Sequence, residues 1–233
     1  MSSDRPRRIW ITGASKGLGH ALAEALLEQG CQVAVSVHTH EDARAFEAIY
    51  PDQVLVLPYN LCQLPGVRHA CRDIRERWQA IDSLIINAGT CDYLSLPVTD
   101  TLIQDVVQTN LDAATHCLSS AVALLEQGRA PQVVAILSAY AALQLHEASQ
   151  PARPANSIPM LFDSARALLE GCNIDLTVVA PQTLGRPVTD APAMPGEWGP
   201  EAAASAILQR LDERPRELVL QALSVNALWP LPT

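Results

Sequence analysis

The sequence predicts a single α/β domain with a doubly wound parallel sheet of about seven strands. Short runs rich in β-branched residues alternate with helical patterns almost from end to end. The runs are apolar nearly throughout, as expected of parallel strands covered by helices on both faces. A length of 233 residues suits one domain, so residues 1–233 are assigned to one unit.

The elements follow from this alternation, in chain order. The predicted strands cover residues 8–12, 32–37, 53–57, 83–87, 132–137, 175–180 and 217–221. The predicted helices cover residues 16–29, 41–50, 65–79, 101–127, 159–170 and 200–213. Such alternation implies right-handed crossovers and helices on both faces of one sheet.

One segment, residues 181–200, lacks any periodicity and contains five prolines and three glycines. A long irregular segment after a parallel strand, at the carboxyl edge of a sheet, is typical of a substrate-binding or lid loop. A plain surface excursion is the alternative.

Composition narrows the classes of partner. The net charge is −9 with no basic patch, which disfavours nucleic acid as a partner. No apolar run is long enough to span a membrane, and no signal-peptide pattern opens the chain, so a cytoplasmic location is expected. The six cysteines show no metal-ligand spacing, which favours free thiols and no metal site.

The end of the first strand carries the clearest motif, TGASKGLG, from Thr12 to Gly19. Gly13 allows a tight turn, Gly17 allows a pyrophosphate to approach the backbone, and Gly19 allows close packing of helix on strand. The N-terminus of the following helix offers free N–H groups and a positive dipole end. A dinucleotide-binding site is therefore predicted here.

This motif resembles the cofactor motif of the short-chain dehydrogenase/reductase family, which has a Rossmann-type fold. Further matches follow in the family's order: Asn87-Ala-Gly89 after the fourth strand, Asn110 in the long helix, Ser138 after the fifth strand and VVAP at 178–181. Together they span nearly the whole chain.

The resemblance implies specific cofactor contacts. The glycine loop would contribute Ser15, Lys16 and Leu18 beside its glycines, and Asn87, Ala88 and Gly89 would line the ribose side. Asn60 and Leu61 stand where the family usually has an Asp and an apolar residue near the adenine. The end of the second strand has no acid for a ribose 2′-hydroxyl, and Lys16 and His38 could approach a 2′-phosphate. NADP(H) is therefore favoured, and NAD(H) stays possible.

The family's reaction centre is matched only in part. Ser138 and Asn110 correspond to the substrate-orienting serine and the supporting asparagine. The family also uses a tyrosine and a lysine at i, i+4 on one helix for proton transfer. Counted without gaps from Ser138, those positions fall on Pro151 and Ala155, and Lys16 is the only lysine in the chain. The sequence therefore predicts a divergent member without this pair.

A shifted alignment puts Phe162 and Arg166 at the pair's positions, but Phe cannot donate a proton and Arg is not a tunable amine. The prolines also predict a late start for this helix, with Pro159 in its first turn and Asn156 or Ser157 as its cap.

Tyr140 is the preferred substitute proton donor because it lies two residues past Ser138. The other candidates near the expected substrate space are Tyr93, Cys91, His146 and Glu147. For each of these residues taken alone, packing or surface exposure is favoured over an acid–base role, because nothing in the sequence fixes its geometry.

Three functions fit this pattern. The first is an NAD(P)-dependent oxidoreductase acting on a small carbonyl or alcohol through an atypical proton-transfer site. The second is an isomerase, lyase or cyclase on the same scaffold, without hydride transfer. The third is a nucleotide-binding pseudoenzyme acting as a partner or regulator. The resemblance also implies a homodimer or homotetramer formed through the helices predicted at 101–127 and 159–170.

Overall fold

The computed structural model describes residues 5–38, 40–87, 100–137, 151–180 and 199–220. Within them seven parallel strands form one sheet in the order β3-β2-β1-β4-β5-β6-β7. The strands are β1 Arg8–Ile11, β2 Gln32–Ser36, β3 Val54–Leu57, β4 Ser83–Ile86, β5 Gln132–Ile136, β6 Asp175–Ala180 and β7 Glu217–Val219. The order reverses between β1 and β4, which is where a doubly wound sheet opens a crevice for ligands.

Six helices lie in the described residues and cover both faces of the sheet. They are α1 Gly17–Glu28, α2 His40–Ile49, α3 Leu64–Trp78, α4 Asp100–Leu125, α5 Ile158–Gly171 and α6 Pro200–Leu211. Helices α3, α4 and α5 share one buried apolar cluster with the sheet, and α1, α2 and α6 share the other. The predicted doubly wound architecture is confirmed, with each predicted boundary within two residues of the observed one. None of the helices in the described ranges has the length and apolar character that a membrane crossing requires.

The proline-containing segment has the predicted effect on α5. This helix begins at Ile158, beyond both Pro151 and Ala155, and Pro159 occupies its first turn. Of the two predicted caps, Ser157 is the one used, because its Oγ accepts a hydrogen bond from the Met160 N–H at 3.5 Å. A late start of the helix is therefore confirmed.

The side chain of Asn156 organises the turn that precedes α5. Its Oδ1 accepts from the Arg153 N–H at 2.7 Å, and its Nδ2 donates to the Pro151 carbonyl at 3.2 Å. The Asn156 side chain is buried, and both bonds satisfy its polar atoms. The backbone that the prolines divert from helix is thus hydrogen-bonded within the turn itself.

At the amino-terminal edge of the sheet, several hydrogen-bond donors converge on the carboxylate of Asp82. It accepts from the Arg8 backbone N–H at 2.8 Å, from the Arg8 guanidinium at 2.8 and 3.2 Å, and from the Arg129 N–H at 2.6 Å. Only 1% of the Asp82 side chain is exposed. Burial opposes its ionisation, but these hydrogen bonds outweigh burial and hold the pKa of Asp82 below its usual value.

Gln132 adds a second set of hydrogen bonds at this edge and links it to β6 and α6. Its Nε2 donates to Thr177 Oγ1 at 3.0 Å and to the Leu211 carbonyl at 3.3 Å, and all three groups are buried. Its Oε1 accepts from the Arg7 guanidinium, which also donates to Ser83 Oγ at 2.9 Å. Side-chain hydrogen bonds therefore cross the amino-terminal edge from Arg7, just before β1, to Thr177 in β6.

Candidate cofactor site

The glycine loop after β1 has the geometry that its spacing predicted. Gly13 and Gly17 have φ values of 65° and 62°, in the left-handed region that glycine tolerates best. A Cβ at Gly13 would lie 2.5 Å from the Asn87 carbonyl oxygen, and one at Gly19 would overlap the Gly13 carbonyl. A Cβ at Gly17 would meet no atom within 4 Å. Gly13 and Gly19 thus serve close packing, whereas the Gly17 backbone faces open space.

Hydrogen bonds from neighbouring strands fix this loop. The Asn87 side chain donates from Nδ2 to the Gly13 carbonyl, and its backbone N–H donates to Thr12 Oγ1, both at 3.1 Å. The Ala14 N–H donates to the Ser36 carbonyl at 3.0 Å. The loop is therefore held in place by the residues that end β2 and β4.

The N-terminus of α1 opens at this loop. Its N-cap residue, Lys16, is exposed and gives no side-chain hydrogen bond to the first turn. The hydroxyl of Ser15 accepts from the His38 N–H at 3.3 Å, which ties the loop to the end of β2. A helix N-terminus without a side-chain cap attracts an anion through its N–H groups and its dipole.

A cleft begins at the glycine loop. It runs along the carboxyl ends of β1 to β4 and one face of α4. Its described lining residues are Thr12, Gly13, Ser36, Val37, His38, Tyr59, Asn60, Leu61, Cys62, Asn87, Thr109, Asn110, Ala113 and Cys117. The cleft therefore occupies the crevice where the strand order reverses.

Several predicted site residues meet in this cleft, namely Gly13, His38, Asn60, Leu61, Asn87 and Asn110. Ser15, Lys16, Gly17, Leu18 and Gly19 form the adjacent loop and first turn, where Leu18 packs against the apolar core. Asn110 is largely buried in α4. The remaining candidates lie outside the described residues: Ala88, Gly89, Cys91, Tyr93, Ser138, Tyr140, His146, Glu147 and most of the 181–200 loop.

Sequence reasoning missed part of the lining. Tyr59 and Cys62 flank the predicted pair Asn60-Leu61, so their position after β3 was an available signal. Thr109, Ala113 and Cys117 recur every four residues on α4 and share a face with Asn110. That helical spacing was the signal for the remaining wall.

No Asp, Glu, Lys or Arg lines the described walls of the cleft. The hydroxyl of Tyr59 donates to Asp73 Oδ2 at 2.6 Å, and this hydrogen bond raises the pKa of Tyr59. Burial raises the pKa of the Cys62 thiol and that of the Cys117 thiol. Both cysteines are therefore protonated at neutral pH, so this part of the cleft is suited to binding rather than to thiolate chemistry.

The sheet order, the glycine loop and the cleft together define a dinucleotide-binding α/β protein. A profile of the family described as short chain dehydrogenase matches residues 7–190. The chain therefore belongs to the short-chain dehydrogenase/reductase family of oxidoreductases.

Named relatives agree with this family. The chain is 28% identical over 187 residues to a 3-oxoacyl-(acyl-carrier-protein) reductase FabG of Staphylococcus aureus, covering 78% of this chain and 76% of the relative. It is also 28% identical over 133 residues to a reductase of the same name from Buchnera aphidicola. That match covers 57% of this chain but spans only about half, 54%, of the relative.

Among solved structures, a short chain dehydrogenase from Burkholderia cenocepacia in complex with NADP superposes with a TM-score of 0.72. It is 21% identical, and the match covers 96% of this chain and 92% of that one. A short-chain dehydrogenase from Streptomyces avermitilis gives a TM-score of 0.71 at 20% identity, covering 93% and 89%. At this identity the two likenesses establish a shared fold.

Proposed function

We propose that the protein is an NADP(H)-dependent oxidoreductase that acts on a small carbonyl or alcohol compound through an atypical proton-transfer site. The observation that carries this proposal is the open backbone at Gly17, at the N-terminus of α1 and at one end of the cleft. A dinucleotide needs this combination of an anion site and an adjoining crevice. When bound, its nicotinamide ring supplies the hydride-transfer chemistry.

The end of β2 supports a preference for NADP(H) over NAD(H). An enzyme specific for NAD usually places an acid about 20 residues beyond the glycines, to accept from the ribose 2′-hydroxyl. Here the residues are Ser36, Val37 and His38, and the Ser36 hydroxyl already accepts from Trp10 Nε1 at 2.9 Å. Ser36, Val37 and His38 include no carboxylate that would repel a 2′-phosphate, so the exposed His38 and Lys16 would carry its recognition.

The proposed catalytic residues and substrate class are inferred from the sequence and from the relatives named above. Ser138 would orient a carbonyl oxygen, Asn110 would support a water chain, and Tyr140 would exchange the proton with the substrate oxygen. Relatives named as 3-oxoacyl reductases favour a carbonyl compound as substrate. Because Pro151 and Ala155 precede α5, the proton route would differ from the Tyr–Lys pair on one helix.

The first experiment is a titration of the full chain with NADPH and NADH, followed by fluorescence. We expect NADPH to bind more tightly, and the variant His38→Asp to lose about tenfold in NADPH affinity because a carboxylate would repel the 2′-phosphate. Gln209→Asp, which adds the same charge at an exposed position of α6 outside the lining of the cleft, is the control. Absence of binding by any nicotinamide dinucleotide would refute the proposal.

The second experiment tests turnover with a panel of small ketones, aldehydes and alcohols. We expect nicotinamide absorbance to change with substrate, and Ser138→Ala to abolish the change while Ser119→Ala on the surface of α4 preserves it. Turnover without an absorbance change would support a non-redox enzyme. Dinucleotide binding without turnover of any compound would support the pseudoenzyme.

A homodimer or homotetramer formed through α4 and α5 is proposed as the assembly. Helix α5 carries Leu168, a large apolar residue with 76% of its surface exposed. Burial of this side chain against a second copy of the chain would favour association. Light scattering of the native chain and of Leu168→Glu would test it, because the charge should dissociate an assembly that buries Leu168.

A further inference from the structure

A second pocket lies at the amino-terminal edge of the sheet, away from the cofactor cleft. It opens between α1 and α6, where β1 and β4 begin, and it shares no lining residue with the cleft. We propose that this pocket binds a small monocarboxylate with a short apolar chain, and that Arg7 and Ser83 hold its carboxylate. The inference goes beyond the proposed function and does not depend on it.

The walls of this pocket are largely apolar. Aliphatic side chains from β1, β4, α1 and α6 line it, namely Ile9, Ile85, Leu26, Leu208 and Leu211. The pocket has a volume of about 200 Å³. An apolar cavity of about 150 Å³ accepts a molecule the size of benzene, so a chain of about six carbon atoms fits here. The removal of such a chain from water favours its binding.

The polar end of the pocket holds hydrogen-bond donors that are not fully used. Arg7 Nη1 donates to Asp212 Oδ1 at 3.1 Å. Arg7 Nη2 donates to Ser83 Oγ at 2.9 Å and to Gln132 Oε1 at 3.4 Å. A guanidinium has five N–H donors, so two of them have no acceptor among the described residues.

Ser83 adds a further donor beside this guanidinium. Its side chain is buried, and its hydroxyl oxygen accepts from Arg7. The O–H itself donates to no group within the described ranges, which is unusual for a buried hydroxyl. A guanidinium and a hydroxyl side by side suit the two oxygens of a carboxylate, and one guanidinium balances its single charge.

Asp212 does not prevent an anion from binding at this place. Its side chain is 88% exposed, so its ion pair with Arg7 is weak, whereas the Arg7 side chain is only 29% exposed. No other Asp, Glu, Lys or Arg lines the described part of the pocket. Burial raises the pKa of the Cys31 thiol in the wall, so this thiol is neutral at neutral pH. Once Asp212 turns into solvent, the pocket therefore presents one positive charge.

The test is a calorimetric titration of the full chain with hexanoate at neutral pH, with hexanol as the uncharged probe. We expect saturable binding of hexanoate. The affinity for hexanol should be about tenfold lower, because the alcohol forms no hydrogen bond between two charged groups with Arg7. Hexanoate should leave the affinity for NADPH unchanged, because the pocket and the cleft lie at opposite edges of the sheet.

Two variants at exposed positions test the competition for Arg7. Asp212→Asn removes the competing carboxylate, so we expect it to bind hexanoate about threefold more tightly than the native chain. Glu213→Gln is the matched control, because it neutralises an exposed acid that pairs with Arg210 at 3.5 Å and does not line the pocket. Its affinity for hexanoate should be native.

The inference is overturned if hexanoate shows no saturable binding below about 10 mM, or if hexanol binds equally well. Equal affinities of the two variants for hexanoate would show that Arg7 does not hold the carboxylate. Competition between hexanoate and NADPH would place the probe in the cleft, and this too would overturn the inference. If NADPH does not bind at all, the proposed function fails, but the calorimetric results with hexanoate still decide this inference.

Discussion

The two edges of the same parallel sheet satisfy their polar groups in opposite ways. At the amino-terminal edge, Asp82 is surrounded by four hydrogen bonds from Arg8 and Arg129, and no further partner is needed. At the carboxyl-terminal edge, the Gly17 backbone faces open space, and the cleft beside it is lined by Asn60 and Asn87. Parallel strands thus allow one end of a sheet to hold the fold together while the other end forms the candidate cofactor site.

This difference predicts that substitutions at the two edges have separable effects. Changes at the amino-terminal edge should alter the free energy of unfolding and leave dinucleotide affinity unchanged. Changes at the glycine loop should alter affinity even where stability changes little.

The largest effect is expected for Asp82→Asn. The amide cannot accept every bond that the carboxylate accepts, and the Arg8 guanidinium loses its buried counter-ion. Loss of one partner of a buried ion pair costs about 3–5 kcal/mol of unfolding free energy. Urea denaturation would measure this loss, and NADPH affinity at a temperature where the variant stays folded should equal that of the native chain. A large loss of affinity in the folded variant would contradict the separation of the two edges.

Gly19→Ala should have the next largest effect, and at the other edge. The added methyl group would overlap the Gly13 carbonyl and lie 2.6 Å from Asn87 Nδ2, so α1 must move away from the loop. We expect a loss of about 1–3 kcal/mol in unfolding free energy, together with loss of detectable NADPH binding. Calorimetry and titration would measure the two quantities.

The matched control for that variant is Gly171→Ala at the end of α5, where a Cβ meets no atom within 4 Å. Its stability should be unchanged or slightly higher, by less than about 1 kcal/mol, and its affinity should be native. Equal behaviour of the two glycine variants would show that the close packing at Gly19 is unimportant.

Ser36→Ala tests the hydrogen bond between Trp10 in β1 and Ser36 at the end of β2. It would leave the indole N–H of Trp10 buried without its acceptor, which costs about 1–3 kcal/mol. Because the indole of Trp10 would lose this hydrogen bond, the tryptophan emission of the chain should also change in the variant. Denaturation and tryptophan fluorescence would measure both, with Ser119→Ala as a surface control; an unchanged stability would argue that water replaces the hydroxyl.

Measuring the unfolding free energy over a series of pH values tests the contribution of Asp82 to stability. Because the folded pKa of Asp82 lies below its usual value, its contribution is fully present above the unfolded pKa of about 4 and is lost as pH falls through the folded pKa. We expect the unfolding free energy to fall below about pH 4, and to fall less steeply in Asp82→Asn. Parallel slopes for the two chains would contradict this role.

The smallest effect is expected for Asp212→Asn. Asp212 pairs with Arg7 at 3.1 Å at the same edge as Asp82, but its side chain is 88% exposed. An exposed ion pair contributes less than about 1 kcal/mol, so this variant is also the charge-matched control for Asp82→Asn. A loss as large as that of Asp82→Asn would mean that burial does not distinguish the two acids.

The helices, the strands and the glycine loop could be predicted from the sequence, because they depend on the spacing of residues that are close together in the chain. Strand β6 coincides with its predicted range, and the turn at Gly13 and Gly17 follows from three glycines in a fixed pattern. The start of α5 could be predicted for the same reason, because a proline restricts the residues beside it.

Contacts between distant segments could not be predicted in this way. The partners of Asp82 are Arg8 and Arg129, and nothing in the sequence near any of them indicates the others. The cleft walls at Tyr59 and Cys117 come from β3 and α4, so their meeting depends on how the sheet is wound.

The pairing of β1 with β4 also affects the order of folding. During synthesis, β1, β2 and β3 can associate early, but the other edge of β1 stays open until residue 86 is made. The glycine loop is not fully hydrogen-bonded before that point either, because the Asn87 N–H that donates to Thr12 Oγ1 lies 75 residues further along the chain. A nascent chain therefore contains the complete phosphate-binding sequence well before the hydrogen bonds that fix the conformation of the loop can form. Contacts of such long range slow the folding of a domain.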